Sequence, residues 1–206
     1  MAKKEIDSST EEKIRIAAKK IFTQKGYSGT RTRDIAEEAG INLALLNYYF
    51  RSKEKLFEII ILEIMQGFVK GMKGIFNNEH STFEEKIEGF VSNYIDLLIA
   101  NPDIPIFMLN EIRTNAEGLN EKVGFKEHLL KSYFFKQMME EMQKGTIVQR
   151  HPLHIVMNMV SLTVFPFVAS PVLKQIGHMK DKEFITLMQE RKKLVPKWIK
   201  AMLETK

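Results

Sequence analysis

The chain has no cysteine. Disulfides, thiolate metal sites and cysteine nucleophiles are excluded, and the composition suits a reducing cytoplasm, where we expect the protein to act. No charged start followed by an apolar export segment is present: Met1-Ala-Lys-Lys-Glu-Ile-Asp7 is polar and reads as a short loose tail. No segment alternates apolar and polar residues as a strand does. Motifs for enzymes are missing as well: there is no Gly-rich phosphate loop, no Gly-x-Ser-x-Gly and no Glu-x-x-His pair. His151-Pro-Leu-His154 has metal-capable spacing, but two imidazoles with no carboxylate nearby make a poor ligand set. We therefore expect no catalytic residues, no metal and no cofactor. Charge is absent from residues 155–173, a run that approaches a membrane span in length. Asn158, Ser161, Thr163, Pro166, Ser170 and Pro171 interrupt it and no second candidate exists. It reads instead as a helix buried on two sides, by its own core and by a second subunit.

What the chain does carry is basic charge at one end. Residues 1–55 hold 12 Lys/Arg against 8 Asp/Glu, while residues 56–206 hold 19 against 18. A localised basic surplus is the footprint of a nucleic-acid-binding module. Helix-spaced apolar residues bounded by caps recur along the whole sequence, so the expected fold is all-α with about nine helices. The first opens at Ser9, which can form a capping box with Glu12, buries Ile14, Ala17, Ala18, Ile21 and Phe22, and ends at Gly26. Short helices follow at 31–39 and 42–49, the latter capped by Asn42. A long one runs from Ser52 to about residue 76, and Thr82 with Glu85 opens another that ends at Asn101-Pro102. Further helices are expected at 104–115, 120–144, 152–176 and 181–203, with Pro196 kinking or interrupting the last.

The segment Thr32-Arg33-Asp34-Ile35-Ala36-Glu37-Glu38-Ala39-Gly40-Ile41-Asn42-Leu43-Ala44-Leu45-Leu46 has helix-turn-helix spacing. Ala36 lets two helices cross closely, Gly40 can take the left-handed turn, and Leu46 anchors the helix that projects its N-terminal side chains into a major groove. Taken with Ala17-Ala18-Lys-Lys-Ile-Phe22, Gly26-Tyr27 and Tyr48-Tyr49-Phe50-Arg51-Ser52-Lys53-Glu54-Lys55-Leu56, residues 10–57 resemble the tetracycline-repressor (TetR/AcrR) family of transcriptional regulators. The resemblance implies that Thr32 and Arg33 approach DNA and that Lys53 meets a phosphate. The competing readings are a helix-surface ion pair of Arg33 with Glu37 and a solvated Lys53. Tyr48 and Tyr49 serve either packing or phosphate contact. Two positions depart from the family pattern: Asn47 stands where relatives carry a phosphate-binding tyrosine, and Arg31 stands at a usual Ser/Thr cap, from which it can reach DNA. Leu43, Ala44 and Leu45 with Asn42 complete the expected DNA face. Apolar side chains there touch thymine methyls but cannot pair bidentately with guanine.

The expected organisation is a DNA-binding domain at 1–51 and a helical bundle at 52–206 for effector binding and dimerisation. Phe68, Phe90, Tyr94, Phe107, Met108, Phe134, Met138 and Phe165 are either ordinary core or the lining of a site for an apolar or aromatic molecule, with Glu111 and Asn158, and also Asn110 and His128, as orienting polar groups. Phe184, Leu187, Met188, Leu194, Trp198 and Met202, with the 155–173 run, form the expected homodimer face. The expected function is a ligand-responsive repressor released from palindromic double-stranded DNA. The alternative is a DNA-bound regulator of the same family that acts on a protein partner.

Overall fold

The computed structural model describes residues 2–205, with side chains from Ser9 onward, and all regular structure among them is helical. In chain order the helices are α1 (Ala2–Gly29), α2 (Thr32–Glu38), α3 (Leu43–Tyr49), α4 (Lys53–Phe76), α5 (Phe83–Ala100), α6 (Ile104–Val123), α7 (Phe125–Leu130), α8 (Tyr133–Lys144), α9 (Pro152–Val168), α10 (Ser170–Ile176) and α11 (Asp181–Glu204). The described residues therefore form eleven helices rather than about nine, and two breaks account for the difference. Gly124 in the left-handed conformation (φ 69°) and Ser132, whose hydroxyl accepts from Phe135 N, divide the expected 120–144 helix into the end of α6, α7 and α8. The expected 152–176 helix bends by 69° after Val168 and becomes α9 and α10. Among the described residues, no single helix is long and apolar enough to cross a membrane.

Ser9 is not a cap, because α1 begins at Ala2. The preceding residues contain no proline or glycine to stop the helix. Gly26 does break it: its φ of 68° with ψ of 177° is a conformation open essentially to glycine alone. Pro196 fails to end α11. A proline inside a helix costs about 3 kcal/mol, but Val195, Pro196 and Ile199 are all buried, and burying a valine or isoleucine side chain contributes about 1.5–3 kcal/mol.

Packing divides the chain into two compact units. The first comprises residues 1–67 with 106–123, and its core is Ile14, Ala18, Phe22, Ile35, Leu46, Leu56 and Ile60. Phe57 joins its parts, meeting Phe22 at 5.0 Å, Tyr27 at 4.8 Å and Phe107 of α6 at 5.8 Å between ring centres. The second unit comprises residues 68–105 with 124–206. There α5 packs against α8, α9 and α11, around a stack of Phe76 on Phe134 (4.6 Å) and Phe83 on Phe134 (5.1 Å). The expected cap of α5 forms in full: Thr82 Oγ1 accepts from Glu85 N (3.1 Å) and Glu85 Oε2 accepts from Thr82 N (2.7 Å).

Candidate nucleic-acid interface

The turn between α2 and α3 follows from one glycine and one asparagine. Gly40 takes φ 66°, which lets Ile41 N donate to Ala36 O (3.0 Å) and Gly40 N to Glu37 O (3.1 Å), closing α2. Asn42 Oδ1 then accepts from Leu45 N (2.8 Å), opening α3. Buried Ile35, Ala36 and Leu46 hold the two helices together. Across the fold, Lys20 pairs with Glu38 (2.6 Å) and Lys25 with Asp34 (2.9 Å), tying α1 to α2. Lys25 first, and then the Arg31 backbone N–H, hold the Asp34 carboxyl below its ordinary range.

The residues expected at DNA fall into three groups. Arg31, Arg33, Leu43, Ala44, Asn47 and Tyr48 are exposed, with Tyr48 at 75%. Neither Arg31 nor Arg33 enters an ion pair among the described residues, so the Arg33–Glu37 pairing does not form. Thr32, Leu45 and Tyr49 are half-buried, with the Tyr48 and Tyr49 rings edge to face at 5.4 Å. Asn42 and Lys53 are already engaged. The Asn42 carbonyl is the cap of α3, and the Lys53 ammonium donates to Tyr27 O (2.9 Å) and Thr30 O (3.0 Å) over the face of the Tyr27 ring (4.1 Å). An ammonium has three N–H groups, so one remains for a phosphate. Sequence reasoning missed this clamp because its acceptors are backbone carbonyls, which carry no residue signature.

The ten residues expected at an effector site do not share one packed unit. Phe107, Met108 and Glu111 lie on the part of α6 that belongs to the first unit, where burial raises the Glu111 carboxyl above its usual range. Phe90, Phe134 and Met138 are core of the second unit. Around them Phe68 meets Tyr94 at 4.7 Å and Phe125 at 6.4 Å, all three half-buried, and burial pushes the Tyr94 hydroxyl up to about 12. Asn158 donates to Met202 Sδ (3.5 Å), and Phe165 is 62% exposed. Of the other polar candidates, Asn110 is exposed and His128 half-buried. A cleft of about 470 Å³ in the second unit, between α5, α8 and α11, is lined by none of the ten.

Residues 14–60 match the family described as bacterial regulatory proteins, tetR family. Over 202 residues the chain is 27% identical to the probable HTH-type transcriptional regulator YttP of Bacillus subtilis, spanning 96% of this chain and 95% of that one. It is 26% identical over 117 residues to the fatty acid metabolism regulator protein of Bacillus subtilis, covering 57% of this chain and 58% of the relative. Among solved structures, the fold matches a TetR transcription regulator from Haloarcula marismortui (TM-score 0.64, 18% identity, 96% of this chain and 100% of that one). It also matches the transcriptional regulator FadR from Bacillus subtilis in complex with stearoyl-CoA (TM-score 0.62, 20% identity, 89% and 96%). With its helix-turn-helix at α2 and α3, the chain carries a region of the tetR family of bacterial regulatory proteins at residues 14–60 and is similar over nearly its whole length to a probable HTH-type transcriptional regulator.

Proposed function

We propose that the protein is a dimeric repressor that leaves a palindromic operator when an apolar or aromatic molecule binds. The observation that carries the DNA-binding part is the pair of exposed, unpaired guanidiniums of Arg31 and Arg33 beside an α3 that turns Leu43, Ala44, Asn47 and Tyr48 outward. Arg31 and Arg33 supply direct base contacts, Tyr48 and the remaining Lys53 N–H supply phosphate contacts, and Leu43 and Ala44 meet thymine methyls. Residues 1–51 act as the DNA-binding domain and 52–206 as the effector and dimer domain, working in the cytoplasm where the operator is. The dimer places two α3 helices about 34–36 Å apart, in successive major grooves.

For the dimer face, the support is an unpaired apolar surface on α9 and α11: Met157, Phe165, Leu187, Leu194, Trp198 and Met202 are all exposed. Phe184 and Met188, expected in the same face, turn inward at 6% and 1% exposure. For the effector, the half-buried rings of Phe68, Tyr94 and Phe125 offer an apolar seat, and Tyr94 offers one hydroxyl. A long acyl chain suits that seat, in keeping with the fatty acid regulator and the stearoyl-CoA-bound FadR among the similar proteins. A second reading draws on the dense stack of Phe76, Phe83 and Phe134, which leaves the inner core filled and favours a regulator acting on a protein partner.

One experiment separates the two. Bound sequences are selected from random DNA, and release of the best operator is followed by fluorescence anisotropy with long-chain acyl-CoAs, fatty acids and aromatic compounds. Release by one class, lost in a Tyr94→Trp variant, supports the ligand-gated repressor. Unchanged affinity across the panel supports the partner reading. No enriched sequence at all overturns the assignment of the DNA face.

A further inference from the structure

The cleft between α5, α8 and α11 is built from two kinds of wall. Its floor is apolar, formed by Phe83, Ile87, Pro196 and Leu203, each buried against the core. Its rim is acidic, with four glutamates against two lysines. Glu84 already holds Lys200 at 2.9 Å, and Glu141 accepts from Thr146 and from Lys144. Glu88 and Glu204 make no direct ion pair among the described residues.

Gln137 adds an independent feature. Its Nε2 donates to Ser81 O (3.0 Å), which fixes the orientation of the amide and leaves Oε1 as the free end. That oxygen is buried and has no donor among the described residues. The buried ammonium of Lys86 does not serve it, being spent on the Ser81 carbonyl (2.6 Å) and hydroxyl (2.9 Å). A buried acceptor without a donor costs about 1–3 kcal/mol, a cost that a ligand N–H removes. The floor is apolar, the rim carries more carboxylates than ammonium groups, and the buried amide oxygen lacks a donor among the described residues.

We propose that this cleft binds a small primary alkylamine as its ammonium cation, with the hydrocarbon on the floor and the N–H groups directed to Gln137 Oε1 and the rim carboxylates. The volume lies within the range of small-molecule sites, about 300–1,000 Å³. The rim already favours such a group: the Lys200 ammonium is held above its ordinary range by Glu84 first, with Glu204 and Glu88 contributing. No residue of the proposed DNA face or effector seat lines the cleft, so the site stands or falls separately from the repressor reading.

Isothermal titration calorimetry of the full chain with n-octylamine, octanoate and octan-1-ol tests it at neutral pH. The expected result is saturable binding of one octylammonium per chain, octan-1-ol at least about tenfold weaker for want of a charge-assisted hydrogen bond, and no octanoate binding. Gln137→Leu keeps the shape and removes the acceptor, and should weaken octylammonium about tenfold. Should Gln137→Leu fail to fold for loss of the Ser81 contact, Glu88→Gln combined with Glu204→Gln alters only exposed groups and should weaken binding by about threefold or more. Octanoate binding as tightly as octylammonium, no saturable octylammonium binding, or a Glu88→Gln, Glu204→Gln variant that binds like the parent would each overturn the proposal.

Discussion

Arg33 in α2 and Lys53 at the start of α4 are two cations of the first unit, yet substitution should separate them. Lys53 holds the carbonyls of Tyr27 and Thr30, so Lys53→Ala should lower unfolding free energy by about 1–3 kcal/mol and also weaken all DNA sequences alike. Arg33 touches no carboxylate among the described residues. Arg33→Ala should leave stability within about 0.5 kcal/mol of the parent while costing about 1–3 kcal/mol of operator affinity and relaxing base preference. Chemical denaturation and anisotropy on the same two proteins check both claims, and equal stability of the two variants would deny the Lys53 clamp. Asp34 adds a pH signature. Its folded pKa lies below the ordinary value of 3.8, so its pair with Lys25 stabilises the fold above that value and is lost as pH falls through the folded one. The stability gap between the parent and Asp34→Asn should be constant from about pH 5 to 7 and shrink toward about pH 3. A gap that does not change with pH would mean the contribution is not ionic.

Elements test the turn itself. Asn42→Ala removes the cap of α3 and should cost about 0.5–2 kcal/mol. Gly40→Ala places a Cβ where nothing lies within 4 Å, so any loss, about 1–2 kcal/mol, comes from the left-handed backbone alone. Thermal unfolding of the two variants should show both losses, and an unchanged Gly40→Ala would argue that the turn relaxes. These positions were legible in the sequence because caps and left-handed turns demand particular residues. So was the α5 capping box of Thr82 and Glu85. The divisions at Gly124 and Ser132 were not, since apolar spacing continues through Phe125, Leu129 and Phe134 as if one helix ran on. Nor could spacing say which unit buries a helix: the apolar residues of α6 promise burial, and Phe107 finds it against Phe57 rather than among the other rings expected with it.

At the scale of the whole molecule, the proposed dimer face lies on α9 and α11. Leu194 and Trp198 are exposed, at 36% and 41%, while Phe184 two turns and more earlier is core. Leu194→Glu with Trp198→Glu should give a monomer in sedimentation with its helix content kept. Phe184→Ala should instead lose stability, about 3–5 kcal/mol, with the oligomeric state unchanged in whatever remains folded. A parent that sediments as a monomer at micromolar concentration would remove the dimer. Operator affinity should also fall steeply with salt, since phosphate contacts release counterions.

Phe57 and its neighbours in α4 have a bearing on how this protein can be cut and grafted. The first unit draws residues 106–123 from far along the chain, and Phe107 and Leu119 are buried within it. A fragment stopped after residue 67 would lose the Phe107 contact and bare that side of the Phe57 ring, adding to an adhesive patch of the kind that drives aggregation. The reading head is therefore not a detachable module. A chimera that transplants it onto a different second unit should keep its solubility only if the α6 segment, or a substitute of the same shape, travels with it.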